Sequence, residues 1–329
     1  MNINMAADGG DDVFVYMGGE QELPDEITHA IIDPSINIVR TGAFYNRQEL
    51  VSVIFHEGVE IIEAEAFHEC IQLSGRIKLL GVREIENSAF DGCEDLSDVE
   101  FGDRLETIGV AAFADCRSLT SIKSLSVRNV QDWAFDTCEQ LTDVEFGMNL
   151  ETIGSNTFND CRQLQRIAIP LKDNLFPIDT DVHRYTQFDS CDNLTTVDIV
   201  GAEGLHNTIS SLFMESWRDE MNEELDRINR QLPNTPANEK TNAIRLWISS
   251  VMNRLEHYKA EHNRLLKEHM SNLALAVWKA RFDDKEEDSA QNVQAKRATI
   301  DEESAREEKR ITSGADIIIK NVLPFLKLG

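Results

Sequence analysis

Phenylalanine recurs at Phe44, Phe67, Phe90, Phe113, Phe135 and Phe158, at intervals of 23, 23, 23, 22 and 23 residues, and again at Phe188 after 30. A period in this range belongs to stacked coils, each burying its apolar set against the next, and not to a closed globule. All six cysteines (Cys70, Cys93, Cys116, Cys138, Cys161 and Cys191) stand three residues after a repeat Phe. They mark coils, so their number is a repeat count. The best copies, Cys93 to Phe113 and Cys138 to Phe158, read Cys-x-x-Leu-x-x-Val-x-Phe-Gly-x-x-Leu-Glu-x-Ile-Gly-x-x-x-Phe.

Within such a copy Val99-Glu100-Phe101 alternates apolar and polar, as a strand with one buried face must. Gly102 and Gly147 follow the strands, where a tight turn is expected to need a residue without a side chain. Leu105, Ile108, Phe113 and Cys116 complete the interior. Residues Ile27, Ala30, Ile32, Ile36, Val39 and Phe44 repeat the spacing of Leu96 through Phe113 without a cysteine, which suits a terminal coil. Ahead of it, Val13-Phe14-Val15-Tyr16 can form a strand closing the open end. Leu73-Ser74-Gly75-Arg76-Ile77 is one residue longer than its counterpart Leu96-Ser97-Asp98-Val99, which predicts a bulge at Gly75. The gap before Phe188 places an inserted loop within Pro170 to Gln187, carrying Asp173, Asp179, Asp181, His183 and Tyr185. It is either a contact-bearing loop or a length-variable one with no role.

Charge divides the chain. Residues 1–204 hold 13 Lys and Arg against 38 Asp and Glu, a net of −25, whereas residues 205–329 are nearly balanced at −2. So negative a surface repels phosphate, which argues against nucleic acid and anionic membrane as partners of the repeats and favours protein partners, basic ones among them. The other reading of the acidity is a solubilising surface. The cysteines form one column and pack as small hydrophobes, so free thiols in a reducing, cytoplasmic compartment are expected. Residues 1–20 show no secretory pattern, and no apolar run reaches the length of a membrane span.

The Ala-Phe-x-x-Cys-x-x-Leu core at Ala66–Leu73, Ala89–Leu96, Ala112–Leu119 and Ala134–Leu141 resembles the BspA-like class of leucine-rich repeats. Departures are Arg47 for Cys, and Thr157 and Gln187 for Ala. The resemblance covers about residues 27–200 and implies a curved parallel-strand solenoid used for binding, without catalysis. Some members of that class are surface adhesins, so a BspA-type adhesin is the alternative function.

Independently of that resemblance, the exposed position after the central strand residue is Lys78, Glu100, Lys123 and Glu145 in successive coils. At about 4.8 Å between strands, each side chain could pair with both neighbours. Arg76, Asp98, Asp143 and Arg166 form a second column beside it. The candidate partner-binding set is therefore Lys78, Asp98, Glu100, Lys123, Asp143, Glu145 and Arg166, and the competing reading is a ladder that only keeps an exposed sheet soluble.

Past Gly204 the period becomes helical. Phe213, Trp217, Met221, Leu225, Ile228 and Leu232 form one stripe ending before Pro233. Thr235-Pro236 predicts the N-cap and first residue of a long second helix. Its seam, Ile244, Ile248, Val251, Leu255, Tyr258, His262, Leu265, His269, Asn272 and Ala276, advances in steps of 4 and 3. Trp247, Leu266, Met270, Leu273, Val277 and Trp278 add a second stripe. A third helix is expected over about residues 290–311, followed by an apolar tail, Ile317 to Leu328, that either docks or binds a partner.

His257 and Glu261 lie one turn apart and could reach one ion, but His262 and His269 occupy the seam itself, so no metal is expected. No phosphate-cradling loop, paired Cys-x-x-Cys or nucleophile elbow appears, and neither cofactor nor enzymatic activity is expected. The expected fold is α+β: a leucine-rich repeat solenoid of short parallel strands followed by a helical, coiled-coil-like bundle. Residues 1–26 form a tail and cap strand, 27–204 the solenoid and 205–329 the helical part. The expected function is a protein interaction scaffold, with the helical part docking on the solenoid or joining copies of the chain.

Overall fold

The computed structural model describes residues 13–19, 21, 23–24, 26–177, 186–201 and 211–292, with side chains in the helices placed for 217–279. The sequence period becomes a parallel-strand solenoid. Each coil contributes a longer strand and, after a turn, a two-residue strand. The short strands Ile38–Val39, Ile61–Ile62, Glu84–Ile85, Thr107–Ile108, Asn129–Val130 and Thr152–Ile153 form one continuous parallel sheet. The longer strands fall into three hydrogen-bonded groups. Val13–Tyr16, His29–Ile32 and Ser52–Ile54 make the first, Gly75–Leu79 and Leu96–Phe101 the second, and Ser121–Ser124, Asp143–Phe146, Arg166–Pro170 and Thr196–Val200 the third. Val13–Tyr16 pairs in register with His29–Ile32, as expected of a closing strand. The predicted bulge is present as a register shift between Gly75 and Arg76, with Gly75 at φ +75°.

The repeat phenylalanines stack into one column from Phe44 to Phe188, with centroids 4.8–5.7 Å apart and planes within 9° of parallel. Tyr16 closes the column at its first end, 5.3 Å from Phe44. Phe55, Phe101 and Phe176 meet Phe67, Phe113 and Phe188 edge-on, filling space that parallel rings leave open. Beside the rings, each cysteine donates its thiol to the carbonyl of the Phe one coil earlier, from Cys70 to Phe44 (3.1 Å) through Cys191 to Phe158 (2.9 Å). All six are free and buried. Burial pushes the Cys70 thiol up to about 12 and raises the other five as well.

The glycines serve a different purpose from the one expected. Gly102 and Gly147 have no positive φ; a Cβ at either would sit 1.9 Å from the carbonyl oxygen of Leu80 or Leu125 in the previous coil. They allow close approach of backbones. The left-handed conformation falls instead on residues two before and two after the repeat Phe, such as Glu65, Glu69, Ala111, Asp115, Trp133 and Thr137, at φ of 51–61°. Alternating hands lets every second N–H in this turn point along the solenoid, as Glu65, Phe67 and Glu69 donate to the carbonyls of Asn87, Ala89 and Asp91. The stack of hydrogen bonds holds non-glycine residues where they cost about 1–2 kcal/mol each.

The departures from the repeat core are accommodated individually. Arg47 donates to the Leu23 carbonyl, Thr157 to the Gly154 carbonyl at 2.7 Å, and the Gln187 amide reaches the Ile153 carbonyl. Of the inserted loop, Leu175 and Phe176 are buried, and the Leu175 carbonyl accepts from the Ile153 N–H at 2.8 Å. Asp179, Asp181, His183 and Tyr185 lie outside the described residues.

Two helices follow, α1 (Ser211–Gln231) and α2 (Ala237–Asn292), joined through a 3₁₀ turn at Leu232–Asn234. Thr235 does not cap α2 with its side chain; its hydroxyl donates back to the Gln231 carbonyl at 3.1 Å. The first stripe is buried at Trp217, Met221, Ile228 and Leu232, whereas Leu225 is half-buried and Glu224 takes the buried place beside it. Glu224 is held there by Arg227 at 2.6 Å and Arg254 at 3.0 Å, and its backbone carbonyl accepts from the Trp247 indole. The α2 seam is buried through Ile244, Ile248, Val251 and Leu255. Two compact units are separated at that point, residues 1–255 and 256–329. Within the second, Tyr258, His262 and Leu265 are half-buried and His269, Asn272 and Ala276 exposed. α2 continues without a break to Asn292, so the expected boundary before a third helix at about residues 290–311 is not found; residues 293–311 and the apolar tail lie outside the described residues, as does the Phe213 side chain. No described helix is long and apolar enough to cross a membrane.

Candidate protein-binding face

The outward positions of the longer strands follow from alternation: where Ile77, Val99, Ile122 and Val144 are buried, their neighbours on both sides are more exposed, whereas beside Ile167 only Arg166 is, Ala168 being buried. Strand register then sets the charges side by side. Lys78 lies opposite Glu100 with 3.6 Å between their charged atoms, and Lys123 opposite Glu145 at 2.9 Å. The ladder is not continuous, however. Leu96–Phe101 and Ser121–Ser124 belong to different hydrogen-bonded groups, and among the described residues no ion pair joins Glu100 to Lys123. In the second column Arg76 bonds Asp98 and approaches Glu100 at 3.8 Å. Arg166 bridges Asp143 at 2.9 Å and Asp198 at 2.6 Å, and this clamp raises its pKa further.

All seven sequence-predicted residues therefore lie on one face, in three clusters. Asp198 was missed because its coil follows the inserted loop, where counting by a fixed period fails; aligning Thr196-Val197-Asp198 with Asp143-Val144-Glu145 identifies it. A second alternating column was also missed. Two residues before each short-strand Ile or Val stand Glu60, Arg83, Glu106, Arg128 and Glu151, so the signal is present in the sequence. Of these, Arg128 pairs with Glu151 at 2.5 Å, and Glu60 with Arg104 at 3.6 Å. Arg83, Arg104, Arg128 and Lys172 line one wall of a groove of about 780 Å³ across these coils, together with Glu106 and Glu151.

Part of the solenoid's acidity lies on the turn that carries the left-handed residues. Burial raises the pKa of Asp91, against the nearby His68 at 3.4 Å. It raises that of Asp136 too, with Asp115 and Asp160 adding to the effect while the Asn159 amide opposes it. Among the described residues no group of three or more His, Cys, Asp or Glu side chains could hold a metal ion.

The last coil carries a site that repeat counting could not find, because its residues are on the helices. Asn229 accepts from the Val197 N–H at 2.8 Å and donates to the Val197 carbonyl at 3.2 Å, doing for the strand edge what a further strand would do. The Gln187 N–H donates to the Thr241 hydroxyl at 3.1 Å. Lys240, 1% exposed, donates to the carbonyls of Cys191, Asp192 and Leu194 at 2.9, 2.7 and 2.8 Å. Desolvation lowers its pKa. These three side chains close the last edge of the solenoid.

A sequence model of the BspA type leucine rich repeat region, in six copies, matches residues 24–125, 76–188 and 120–218. Among solved structures, the chain is similar to the T. pallidum leucine rich repeat protein TpLRR at 26% identity, covering 51% of this chain and 82% of that one with a TM-score of 0.38. It is also similar to a leucine-rich repeat protein from Bacteroides ovatus at 21% identity, covering 53% and 55% with a TM-score of 0.34. For the pneumococcal vaccine antigen PcpA the values are 17%, 53%, 57% and 0.29. The chain thus spans little more than half the length of the latter two. No curated protein matches it.

Proposed function

The chain belongs to the BspA type leucine-rich repeat family, and from that premise we propose that it is a non-enzymatic interaction scaffold binding protein partners through the outward strand face. Family membership supports a repeat-based protein-interaction or surface role in general terms. The observation that carries the narrower reading is the division of labour in the solenoid. Its interior is spent on stacking, its last edge is closed by Asn229, Lys240 and Thr241, and the strand face presents fixed charges of both signs. Ion pairs at 35–63% exposure on their cationic side contribute little to stability, but they fix where each sign stands and so suit recognition. The overall negative charge of the repeats favours basic partners elsewhere on the surface.

The test is capture from the native cell with the full chain and with a variant in which Arg76, Lys78, Lys123 and Arg166 are changed to Gln. Loss of specific partners from a variant with an unchanged melting profile is expected; identical captures overturn the strand-face reading. We further propose a cytoplasmic location, supported by six buried thiols that each serve as hydrogen-bond donors. Thiol titration of freshly isolated protein should give six free thiols on unfolding. Disulfides, or a sugar on the exposed Asn193 of Asn-Leu-Thr, would instead establish the adhesin reading.

A further inference from the structure

The first three outward strand positions differ in kind from the rest of the face. Strand register aligns Val15, Ile31 and Ile54 in one column and Val13, His29 and Ser52 in the other. Val13, Val15 and Ile54 are 53%, 43% and 60% exposed. The next coil places Lys78 at the position equivalent to Ile54, and Arg76 at that of Ser52. These two cations are 62% and 59% exposed. Their anionic partners among the described residues, Asp98 and Glu100, are on the far side. On the near side the preceding coil carries neutral Ser52 and Ile54 at the equivalent positions, and among the described residues no ion pair joins either cation to that coil. Arg166, by contrast, is flanked by carboxylates on both sides. An apolar patch is thus bordered by two cations that are neutralised from one direction only.

We propose that this patch docks an amphipathic helix of a partner protein, with three apolar residues followed by an acidic one. The proposal rests on the strand-face reading above and names the chemistry of its partner. Spacing selects the helix. The column Val15, Ile31 and Ile54 advances by about 4.8 Å per coil, close to the roughly 5.4 Å helical pitch, so residues i, i+4 and i+7 stay in step with it over three coils, and i+11 reaches the next coil, which carries Lys78. An extended segment returns to the same side only every ~6.7 Å and falls out of step. Charge selects the acid. A carboxylate at i+11 meets the unopposed sides of Lys78 and Arg76, while distant acidic groups are screened beyond about 8 Å at physiological salt.

The probe is a stapled, fluorescein-labelled helix of roughly 16 residues with Leu at i, i+4 and i+7 and Glu at i+11, and a twin carrying Lys at i+11. Anisotropy with the full chain should show the Glu probe binding at least about fivefold more tightly, the scale of one exposed ion pair exchanged for a like-charge contact. Lys78→Glu should invert that preference and Ile54→Lys should abolish binding of both probes. Lys123→Glu, two coils away, should change neither, and thermal melts establish that each variant folds. Equal binding of the probes, no binding of either, or indifference to Ile54→Lys overturns the proposal. It is likewise overturned if Ile54→Lys converts a dimer of the chain into a monomer, or if the probes bind only after residues 1–12 are removed. The broader scaffold reading fails separately, through unchanged captures from the native cell.

Discussion

Lys240→Met tests the closure of the solenoid most directly. The ammonium is 1% exposed and donates to three carbonyls at 2.7–2.9 Å, and the Asp192 carboxylate offsets only part of the desolvation that lowers its pKa. Methionine keeps the length and apolar stem but leaves the Asp192 and Leu194 carbonyls without partners in a place water does not reach, and the Cys191 carbonyl with only the Leu194 N–H at 3.2 Å. At roughly 1–3 kcal/mol for each acceptor left unsatisfied, the gross loss is about 2–6 kcal/mol. Removing the charge recovers part of it, because a desolvated ammonium costs several kcal/mol before its contacts are counted. The net expectation is about 3 kcal/mol of destabilisation in urea unfolding, against a change within about 0.5 kcal/mol for the exposed Lys267→Met. Amide exchange should accelerate first over residues 186–201. The pH dependence has a definite sign. The folded pKa of Lys240 lies below its ordinary 10.5, so between the two values the unfolded chain holds more protons and wild-type stability should rise with pH relative to Lys240→Met. Below the folded value both states are protonated and the difference should be flat. A destabilisation under about 1 kcal/mol, or exchange that rises evenly along the solenoid, would refute the claim that Lys240 secures the last coil.

Phe113→Ala removes a ring stacked between Phe90 and Phe135 at 5.1 and 5.5 Å; urea titration should show a loss of about 3–5 kcal/mol. Gly102→Ala forces a methyl against the Leu80 carbonyl and should cost roughly 1–3 kcal/mol or more. Gly75→Ala meets nothing within 4 Å and should cost only the left-handed conformation, about 1 kcal/mol; thermal melts of the two rank contact against conformation. Asp136→Asn should raise the melting temperature at pH 7, because the raised folded pKa means that the ionised carboxylate opposes folding there. That advantage should shrink as pH falls through the folded value, when wild type takes up the proton.

The interior was legible because it repeats. Phe, Cys, Leu and Ile positions stand at fixed offsets, and each is buried in the column its offset assigns, down to the terminal coil that begins at Ile27. Register followed from the same period, which is why Lys78 opposite Glu100 and Lys123 opposite Glu145 could be named from sequence. What the period cannot carry is any interaction present once. The break between Leu96–Phe101 and Ser121–Ser124 depends on how two coils of different length meet, and it divides a ladder that looks uniform on paper. Glycine roles were misassigned for a related reason. A glycine after a strand reads as a turn residue, whereas the constraint on Gly102 comes from a carbonyl 22 residues earlier.

The ends of the stack show the same limit in its most consequential form. A repeat protein is stable along its length through identical interfaces, so its two ends must be closed by something that is not a repeat. At the first end the answer is Tyr16, which stands where the previous coil's Phe would be. At the last end it is a set of polar side chains from two helices, and these obey no spacing. Asn229 imitates a strand, and Lys240 donates to the Asp192 carbonyl, whose counterparts Ile71, Glu94 and Arg117 accept from an N–H of the next coil, as well as to its neighbours Cys191 and Leu194. The helical stripe Ile244, Ile248, Val251 and Leu255 read as a seam for another helix, yet full burial along it ends with the first compact unit, and the described seam residues beyond are half-buried or exposed. Residues 217–255 therefore act as the final coil of the solenoid, built of different elements. Substitutions there should behave as repeat mutations do, propagating backward from Thr196–Val200.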